Sequence, residues 1–360
     1  MSALMWLRQR LSARHLVLVT LLVLTWVTML FPILGEVYAR RVYPLLHRSL
    51  ADFSRLFPFS VGDCFIYGSL VGLLLYLVFT LIMRRPLKRV LWRMAEYLAW
   101  VYVWFYLAWG MNYFRQDFFT RAGISYEAYT PDHFCSFLVA YTDSLNAAYV
   151  PITTVDTATV RREVMAGYRA IGTCFGILPP EADLRVKSML LTPLMSSVGV
   201  MGYMGPFFNE FNLNRDLLPV QYSSTYAHEM AHVLGIASEA EANLYSHLVC
   251  IRSDNPSIRF SGYFSLLTYV LENARLLLSE HDFNDWKQSL RPEVKALYNA
   301  NMLYWQSRYS PLIGEVQNVL YNLFLKGNNI DSGTQNYSEV IALLIAYRQV
   351  LLLNQVSEVT

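Results

Sequence analysis

Two histidines stand four residues apart in the segment Tyr226–Gly235, and a glutamate directly follows the first of them. On a helix, His228 and His232 lie one turn apart on the same face, so both imidazoles can bind one metal ion. Glu229 then lies beside the open metal position, where its carboxylate can take a proton from a bound water. The pattern predicts a hydrolytic Zn²⁺ site with two histidine ligands and Glu229 as the general base.

A third protein ligand is expected shortly after this motif. Ser238, with Glu241 three residues later, is typical of a helix start. Glu239 would be the first residue of that helix, and Asn243 would lie one turn later on the same face. Gly235 allows a tight reversal that brings the new helix back over the metal. We predict Glu239 as the third ligand and Asn243 as a residue that holds a ligand by a hydrogen bond, with Glu241 as the alternative ligand.

The flanks of the motif predict a buried helix rather than a solvated one that carries two histidines by chance. Apolar residues surround the histidines, and a buried imidazole pair without a partner would be costly. The hydroxyls of residues 223–225 are candidate N-caps for this helix, and Gly235 is well placed to end it in a left-handed turn.

The remaining residues of the segment 115–360 predict one domain that is mostly helical. Helical spacing covers Thr159–Phe175, and Asp183–Thr192 alternates like a strand. The glycine- and aromatic-rich segment Val198–Asn214 predicts a hairpin or an irregular edge strand. A last helix, from about Ser338 to Leu353, contains Arg348 and is therefore expected to pack in the core rather than to cross a membrane.

The N-terminal third of the chain is apolar enough to predict membrane helices. Hydrophobic residues make up 54 % of the chain and charged residues only 16 %. Three nearly uncharged runs, at about 16–35, 64–83 and 94–113, are each long enough to span a bilayer. We therefore expect a membrane domain over residues 1–114 with three transmembrane helices, followed by an extramembrane domain over 115–360.

Lysine and arginine positions predict the orientation of these helices. Eight lie in the N-terminal tail and in the loop after the second run, against four in the loop after the first. Short loops rich in lysine and arginine stay in the cytoplasm. The N-terminus is therefore expected in the cytoplasm, and three spans would put residues 115–360 outside it.

Composition also excludes two classes of site. The formal net charge is only +2, and no basic stripe interleaved with aromatics lies beyond the apolar third, so we expect no nucleic-acid partner. The four cysteines form no CxxC pair, which argues against a cysteine zinc site or a disulfide framework.

The H-E-x-x-H motif and the later segment Glu239–Asn243 resemble the zincin metallopeptidases, and the gluzincins in particular. That resemblance implies an α+β zincin-like domain in which Zn²⁺ is bound by His228, His232 and Glu239, with Glu229 as the base. The chain as a whole resembles the bacterial membrane family called domain of unknown function 3810. The segments that carry this likeness are 58–63, 109–115, 209–214, 228–243 and 260–263. Membership implies three N-terminal spans in the bacterial inner membrane and an extracytoplasmic peptidase-like domain.

The expected function is that of a membrane-anchored zinc metallopeptidase that acts on peptides or proteins outside the cytoplasm. In this hypothesis, Asn209–Asn214 is a candidate edge strand that pairs with the substrate backbone. Tyr245, His247 and Tyr263 are candidate donors to the transition-state oxyanion, and His247 is a further candidate ligand. Two alternatives remain open: a non-catalytic scaffold or sensor on the same fold, and a metal-dependent hydrolase of a non-peptide bond.

Overall fold

The computed structural model describes residues 12–125, 128–177, 180, 184–328, 330, 332 and 339–357. The chain is mainly helical, as predicted. It divides into two compact units. The first holds the described residues up to Gln116 together with Gly205–Glu210. The second holds those from Asp117 to Met204 and from Phe211 onward.

The first unit is built from helices. They are α1 (Ala13–Leu30), α2 (Pro32–Val37), α3 (Tyr43–Arg55), α4 (Val61–Ile82) and α5 (Leu87–Ala108), with a π-helical turn at Tyr38–Val42 and a 3₁₀ turn at Gly110–Phe114. Proline at the first or second position of α2 and α3 suits a helix start, where a missing N–H costs nothing. The Ser60 hydroxyl caps α4 by accepting a hydrogen bond from the Asp63 N–H.

Two of the described helices, α1 and α4, are long and apolar enough to cross a membrane. They correspond to the first two predicted spans. The third predicted span, 94–113, is not confirmed: its helix is α5 (Leu87–Ala108), which is not among the described helices apolar enough to cross a membrane. Its residues explain the difference, because tryptophan and tyrosine count as nearly neutral in hydropathy and Arg93 and Glu96 are charged.

Within the first unit, α1 and α5 pack together and run in the same direction. Arg14, at the start of α1, forms an ion pair with Glu96, near the middle of α5, with 3.0 Å between Nε and Oε1. At the other end, the Tyr38 hydroxyl donates a 2.8 Å hydrogen bond to the carbonyl of Leu107. Since residues 83–86 form a tight turn, α4 and α5 are antiparallel neighbours.

The short segment Gly205–Glu210 packs with the helices of this first unit. The Glu210 carboxylate accepts hydrogen bonds from the Ser60 hydroxyl and from the backbone N–H groups of Val61 and Gly62, at 3.0, 2.8 and 2.6 Å. A carboxylate at the N-terminus of α4 satisfies backbone donors that the helix itself leaves open and interacts well with its dipole.

The second unit is helical around a small sheet. Its helices are α6 (Phe118–Ala122), α7 (Pro131–Ala148), α8 (Thr157–Ile171), α9 (Thr192–Ser197), α10 (Pro219–Val233), α11 (Glu239–Ile251), α12 (Pro256–Phe264), α13 (Leu267–Leu277), α14 (Glu280–Ser289), α15 (Pro292–Gln306), α16 (Pro311–Lys326) and α17 (Val340–Ser357). The helix predicted over Thr159–Phe175 is confirmed as α8 followed by a 3₁₀ turn. The N-terminal half of α17 is buried, as expected of a core helix.

Three short strands lie mainly in this unit: β1 (Val186–Ser188), β2 (Gly202–Gly205) and β3 (Glu210–Leu213). The order in the sheet is β1–β3–β2, and β1 pairs with β3 in parallel, with Val186 opposite Phe211. The predicted strand Asp183–Thr192 is thus shorter than expected, and Asp183 lies outside the described residues. The hairpin prediction is confirmed. The prediction of an edge strand at Asn209–Asn214 was wrong, because β3 has a neighbour on each side.

Helices α10, α11 and α12 form the core that carries the predicted motif. Close approach between α11 and its neighbours depends on glycine, since a Cβ on Gly262 would lie 2.5 Å from the Cβ of Cys250. The N-cap prediction was wrong: α10 begins at Pro219, four residues before Ser223, so residues 223–225 are buried inside the helix. The Ser224 N–H instead lies 3.1 Å from the Ser261 hydroxyl, which ties α10 to α12.

Candidate metal centre

Helix α10 presents His228 and His232 on one face, one turn apart. The two Nε2 atoms are 3.1 Å apart. His232 is buried, whereas the His228 side chain keeps 16 % of its surface exposed, so the pair is reached from the side of His228. Gly235, with a φ of 82°, makes the left-handed turn that ends the helix, as predicted.

The chain reverses after Gly235 and returns as α11, whose first residue is Glu239. The Ser238 hydroxyl caps this helix by accepting a hydrogen bond from the Glu241 N–H. The reversal brings Oε2 of Glu239 to 3.0 Å from Nε2 of His228 and 3.4 Å from Nε2 of His232. Three potential ligand atoms from two helices therefore face one another.

The spacing of these three atoms matches the donor set of a tetrahedral zinc site. Ligands about 2.0–2.1 Å from zinc at tetrahedral angles lie about 3.3 Å from one another. The observed separations are 3.1, 3.0 and 3.4 Å. Two imidazoles and one carboxylate also form the ligand set of many catalytic zinc sites, which leave the fourth position for water. The residues fit a zinc ion in both geometry and chemistry.

The outer nitrogen of each imidazole has its own partner, and this fixes which nitrogen can bind a metal. Nδ1 of His232 lies 2.6 Å from the carbonyl oxygen of Ile236, and Nδ1 of His228 lies 2.9 Å from Oδ1 of Asn243. A carbonyl oxygen only accepts hydrogen bonds, so Nδ1 of His232 must carry the proton. In the neutral ring, Nε2 then presents its lone pair to the centre, which is the usual arrangement of metal-binding histidines.

Electrostatics at the centre favour a positive charge. Burial alone raises the pKa of Glu239, yet His232 and His228 hold that pKa well below its usual value of 4.5. Burial lowers the pKa of His232, but the carboxylate of Glu239 outweighs it and raises the pKa from 6.5 to about 9. The buried carboxylate thus attracts a proton to its neighbour, and a cation at the same place benefits from the same attraction.

Glu229 lies beside this cluster without being part of it. It is buried, and burial raises its pKa from 4.5 to about 7 despite the opposing effect of the two histidines. The backbone N–H of Met204 donates a hydrogen bond to its carboxylate, whereas Oε2 has no hydrogen-bond partner among the described residues. A Cβ on Gly202 would lie 2.7 Å from Oε1 of Glu229. Strand β2 can therefore approach this carboxylate so closely only because residue 202 is a glycine.

The other candidates from the sequence lie elsewhere. Glu241 forms an ion pair with Arg121 and accepts a hydrogen bond from the Tyr245 hydroxyl at 3.2 Å, so it is not brought to the histidines. Nδ1 of His247 lies 2.9 Å from the carbonyl of Gly262, and the Tyr263 ring packs edge-on against the His247 imidazole. The structure therefore brings Glu239, and not Glu241, to the paired imidazoles.

Two contributions to the site had no signal in the sequence. The hydroxyl of Tyr321, on α16, donates a 2.8 Å hydrogen bond to Oε1 of Glu239. Strand β2, with Gly202 and Met204, forms one wall around Glu229. Tyr321 lies 82 positions after Glu239, so sequence spacing cannot assign it to the site. The glycines of Val198–Asn214 predict only a hairpin or an irregular edge strand.

Comparison with known proteins gives one match. A family model described as "Protein of unknown function (DUF3810)" matches residues 38–345, which is most of the chain and includes the whole cluster. No curated protein and no solved structure matches the chain.

Proposed function

The chain belongs to the DUF3810 family of proteins of unknown function, and we propose that it is a membrane-attached, zinc-dependent hydrolase of peptide bonds. The observation that carries this proposal is the convergence of His228, His232 and Glu239 beside the buried carboxylate of Glu229. Metal ligands alone would suit a structural site. An additional buried carboxylate with a pKa near neutrality suits a general base.

In the proposed mechanism, His228, His232 and Glu239 would hold zinc, which when bound would supply Lewis-acid activation of water and of the scissile carbonyl. Glu229 would take a proton from the attacking water and deliver it to the leaving amine. Its burial supports this role, because a carboxylate with a pKa of about 7 both accepts and donates a proton near neutral pH. Asn243 and the carbonyl of Ile236 keep the two imidazoles in the tautomer that leaves Nε2 free of a proton.

The preference for peptide bonds rests on β2. Among the described strands it has a neighbour on one side only, so its other edge can pair with an extended peptide. Met204 and Gly202 of this strand contact Glu229, so a peptide paired with β2 would pass beside the base. The role of pairing with the substrate backbone, which the sequence suggested for Asn209–Asn214, is therefore proposed for β2, its hairpin partner.

The helices of the first unit are the basis for proposing that the chain is attached to a bilayer. Helices α1 and α4 are apolar, and most of their surface is exposed, with only 17 % and 6 % of the apolar windows buried. We infer a third crossing by α5, since a tight turn makes it return alongside α4 over 22 residues, about 33 Å of helix. The ion pair between Arg14 and Glu96 places the start of α1 beside the middle of α5, and the basic residues at 84–93 precede Glu96 at that end of the helices.

With three crossings, the basic end of the bundle is cytoplasmic and residues from Arg115 onward lie outside the cytoplasm. In a bacterium this is the outer face of the inner membrane. A reporter fused after Thr360 that is active only outside the cytoplasm would support this topology. A fusion that is active only inside would contradict it.

The function is tested on the purified full chain in detergent. We expect about one zinc per chain, and cleavage of members of a peptide library that falls by about 10²–10⁴-fold in the Glu229→Gln variant while the zinc remains. Glu293→Gln, at an exposed surface carboxylate, is the matched control. A chain that binds no metal at neutral pH would rule the proposal out.

The same experiment separates the two rival functions. Zinc binding without hydrolysis of any peptide, but with hydrolysis of ester or amide substrates that depends on Glu229, would indicate a non-peptide hydrolase. Zinc binding without any hydrolysis would indicate a scaffold or sensor. The buried carboxylate of Glu229, whose Oε2 has no hydrogen-bond partner among the described residues, favours catalysis, because a purely structural metal site has no need of it.

A further inference from the structure

Helix α16 carries a continuous apolar face that is exposed. The residues of this face are Leu312, Ile313, Val316, Val319, Leu320, Leu323 and Phe324. At 3.6 residues per turn they share one arc of about 140° around the helix. Exposure is high along its whole length, with 77 % for Leu312 and 62 % for both Leu320 and Leu323. The two charged residues of α16, Glu315 and Lys326, lie on one edge of this arc, not within it.

The opposite face of α16 is fixed to the second unit. Gly314 and Leu325 are buried there, and Tyr321 donates its hydrogen bond to Glu239. The helix therefore cannot roll to hide its apolar arc without breaking the contact at the candidate metal centre. The exposure of the arc is a fixed property of the fold.

A second helix with exposed apolar residues meets the start of α16. The Ser310 N–H, which precedes the helix, donates a 2.8 Å hydrogen bond to the carbonyl of Ser197 at the end of α9. Leu191 and Leu194, at the start of α9, are 42 % and 40 % exposed, and Tyr309 beside Ser310 is 40 % exposed. Folded soluble proteins rarely leave large contiguous apolar patches to water, so a helix face with seven exposed apolar side chains marks an interaction site.

We propose that this face of α16 docks on the surface of a lipid bilayer. Binding to a lipid surface requires a broad apolar arc with polar or charged residues at its edge. The arc of α16, with Glu315 and Lys326 at one edge, has these features. It offers no buried polar group that would select a particular protein partner. The N-terminal helices that we propose as anchors would hold this face near a bilayer at high effective concentration.

This inference rests on the bilayer attachment proposed above but not on hydrolysis, and its test keeps the two apart. A photoreactive benzophenone amino acid is placed at Leu320 in the full chain, reconstituted in phosphatidylethanolamine and phosphatidylglycerol vesicles. The same probe at Leu24 of α1, which is 48 % exposed, tests whether the chain is attached to the bilayer at all. The probe at the exposed Glu293 is the negative control. After irradiation, lipid adducts are measured by mass spectrometry.

We expect lipid adducts at Leu320 and Leu24 and none at Glu293. Adducts at Leu24 alone would overturn the docking of α16 while bilayer attachment stands. Adducts at neither Leu320 nor Leu24 would overturn both. Cross-links from Leu320 to a second copy of the chain, without lipid adducts, would assign the face to self-association instead.

A second variant tests whether the lipid adducts at Leu320 depend on the apolar character of the arc. Val319→Glu combined with Leu323→Glu puts two charges in the centre of the arc, at side chains that are 61 % and 62 % exposed and so contribute little to folding. The adduct yield at Leu320 should fall at least fivefold, while the zinc content of the chain is unchanged. An unchanged yield would contradict docking through this face.

Discussion

The hydroxyl of Tyr321 lies 2.8 Å from Oε1 of Glu239, the carboxylate whose other oxygen faces both histidines. The two residues are 82 positions apart in the chain. A carboxylate at the first position of a helix has considerable freedom, and this hydrogen bond holds one oxygen so that the other points at the centre. Helix α16 is therefore part of the support of the proposed zinc site.

Removing the Tyr321 hydroxyl should weaken zinc binding without removing a ligand. For Tyr321→Phe we expect zinc affinity to fall by about 10–100-fold, as for other groups that orient metal ligands. Competition with a chromophoric chelator measures this affinity. Tyr304→Phe, which removes a hydroxyl bonded to the carbonyl of Asp216, is the matched control. Equal affinities for the two variants would show that the Tyr321 contact does not support the site.

The two glutamates at the start of α11 should respond differently to the same substitution. Glu239→Gln should lose most of the bound zinc, because a neutral amide is a poor ligand in place of the carboxylate. Glu241→Gln should keep the zinc but lose about 3–5 kcal/mol of stability, because it removes the negative charge of a buried ion pair with Arg121. Zinc content and denaturant unfolding measure the two effects. The reverse outcome would make Glu241 the ligand.

Gly202→Ala should damage catalysis and spare the metal. The added methyl would lie 2.7 Å from Oε1 and from Cγ of Glu229, so either the carboxylate or β2 must shift. A displacement of about 1 Å at a reacting group can reduce the rate by about 100-fold. Peptide cleavage and zinc content are measured together. Gly68→Ala, where a Cβ meets nothing within 4 Å, is the control. Normal cleavage by the Gly202 variant would exclude a tight fit between β2 and the base.

His247 should make the fold sensitive to acid. Burial lowers its pKa from 6.5 to about 4, while its contact with the Gly262 carbonyl has a smaller opposite effect. Between these two pH values the unfolded chain binds a proton that the folded chain does not. Stability is therefore intact above about pH 6.5 and falls as the pH drops toward 4, by on the order of 3 kcal/mol in total.

The His247→Gln variant tests this sensitivity. Its free energy of unfolding should fall less steeply than that of the unchanged chain between pH 7 and pH 4, as measured by denaturant titration at each pH. His281→Gln, at an exposed histidine, controls for the loss of one imidazole. Parallel curves for the His247 variant and the unchanged chain would contradict the role of this residue.

The cluster of His228, His232 and Glu239 could be anticipated from the sequence because helix periodicity and a glycine turn act over short distances. Both the reversal at Gly235 and the cap at Ser238 are local effects of this kind. The choice between Glu239 and Glu241 was not local. It depends on Arg121, which comes from a distant helix and pairs with Glu241.

The errors have the same physical origin. The start of α10 was placed too late because serine and threonine are common N-caps, yet here the Ser224 N–H and the Ser261 hydroxyl join two packed helices. Strand order in a sheet depends on pairing between distant segments, so the central position of β3 could not be read from residues 209–214. The run at 94–113 was predicted to be a span from its length and few charges, but its tyrosines and tryptophans leave α5 less apolar than α1 and α4.

All three proposed ligands lie between His228 and Glu239, on two helices joined by the turn through Gly235. The loop that a metal would close is therefore very short, and the entropy lost on closing it is small. Contacts of such low sequence separation also form early in folding. We expect this helical hairpin to gather its ligands while the chain is still being synthesised, long before Tyr321 emerges from the ribosome. Acquisition of the metal and completion of its surroundings would then be two separate events in the biogenesis of the protein.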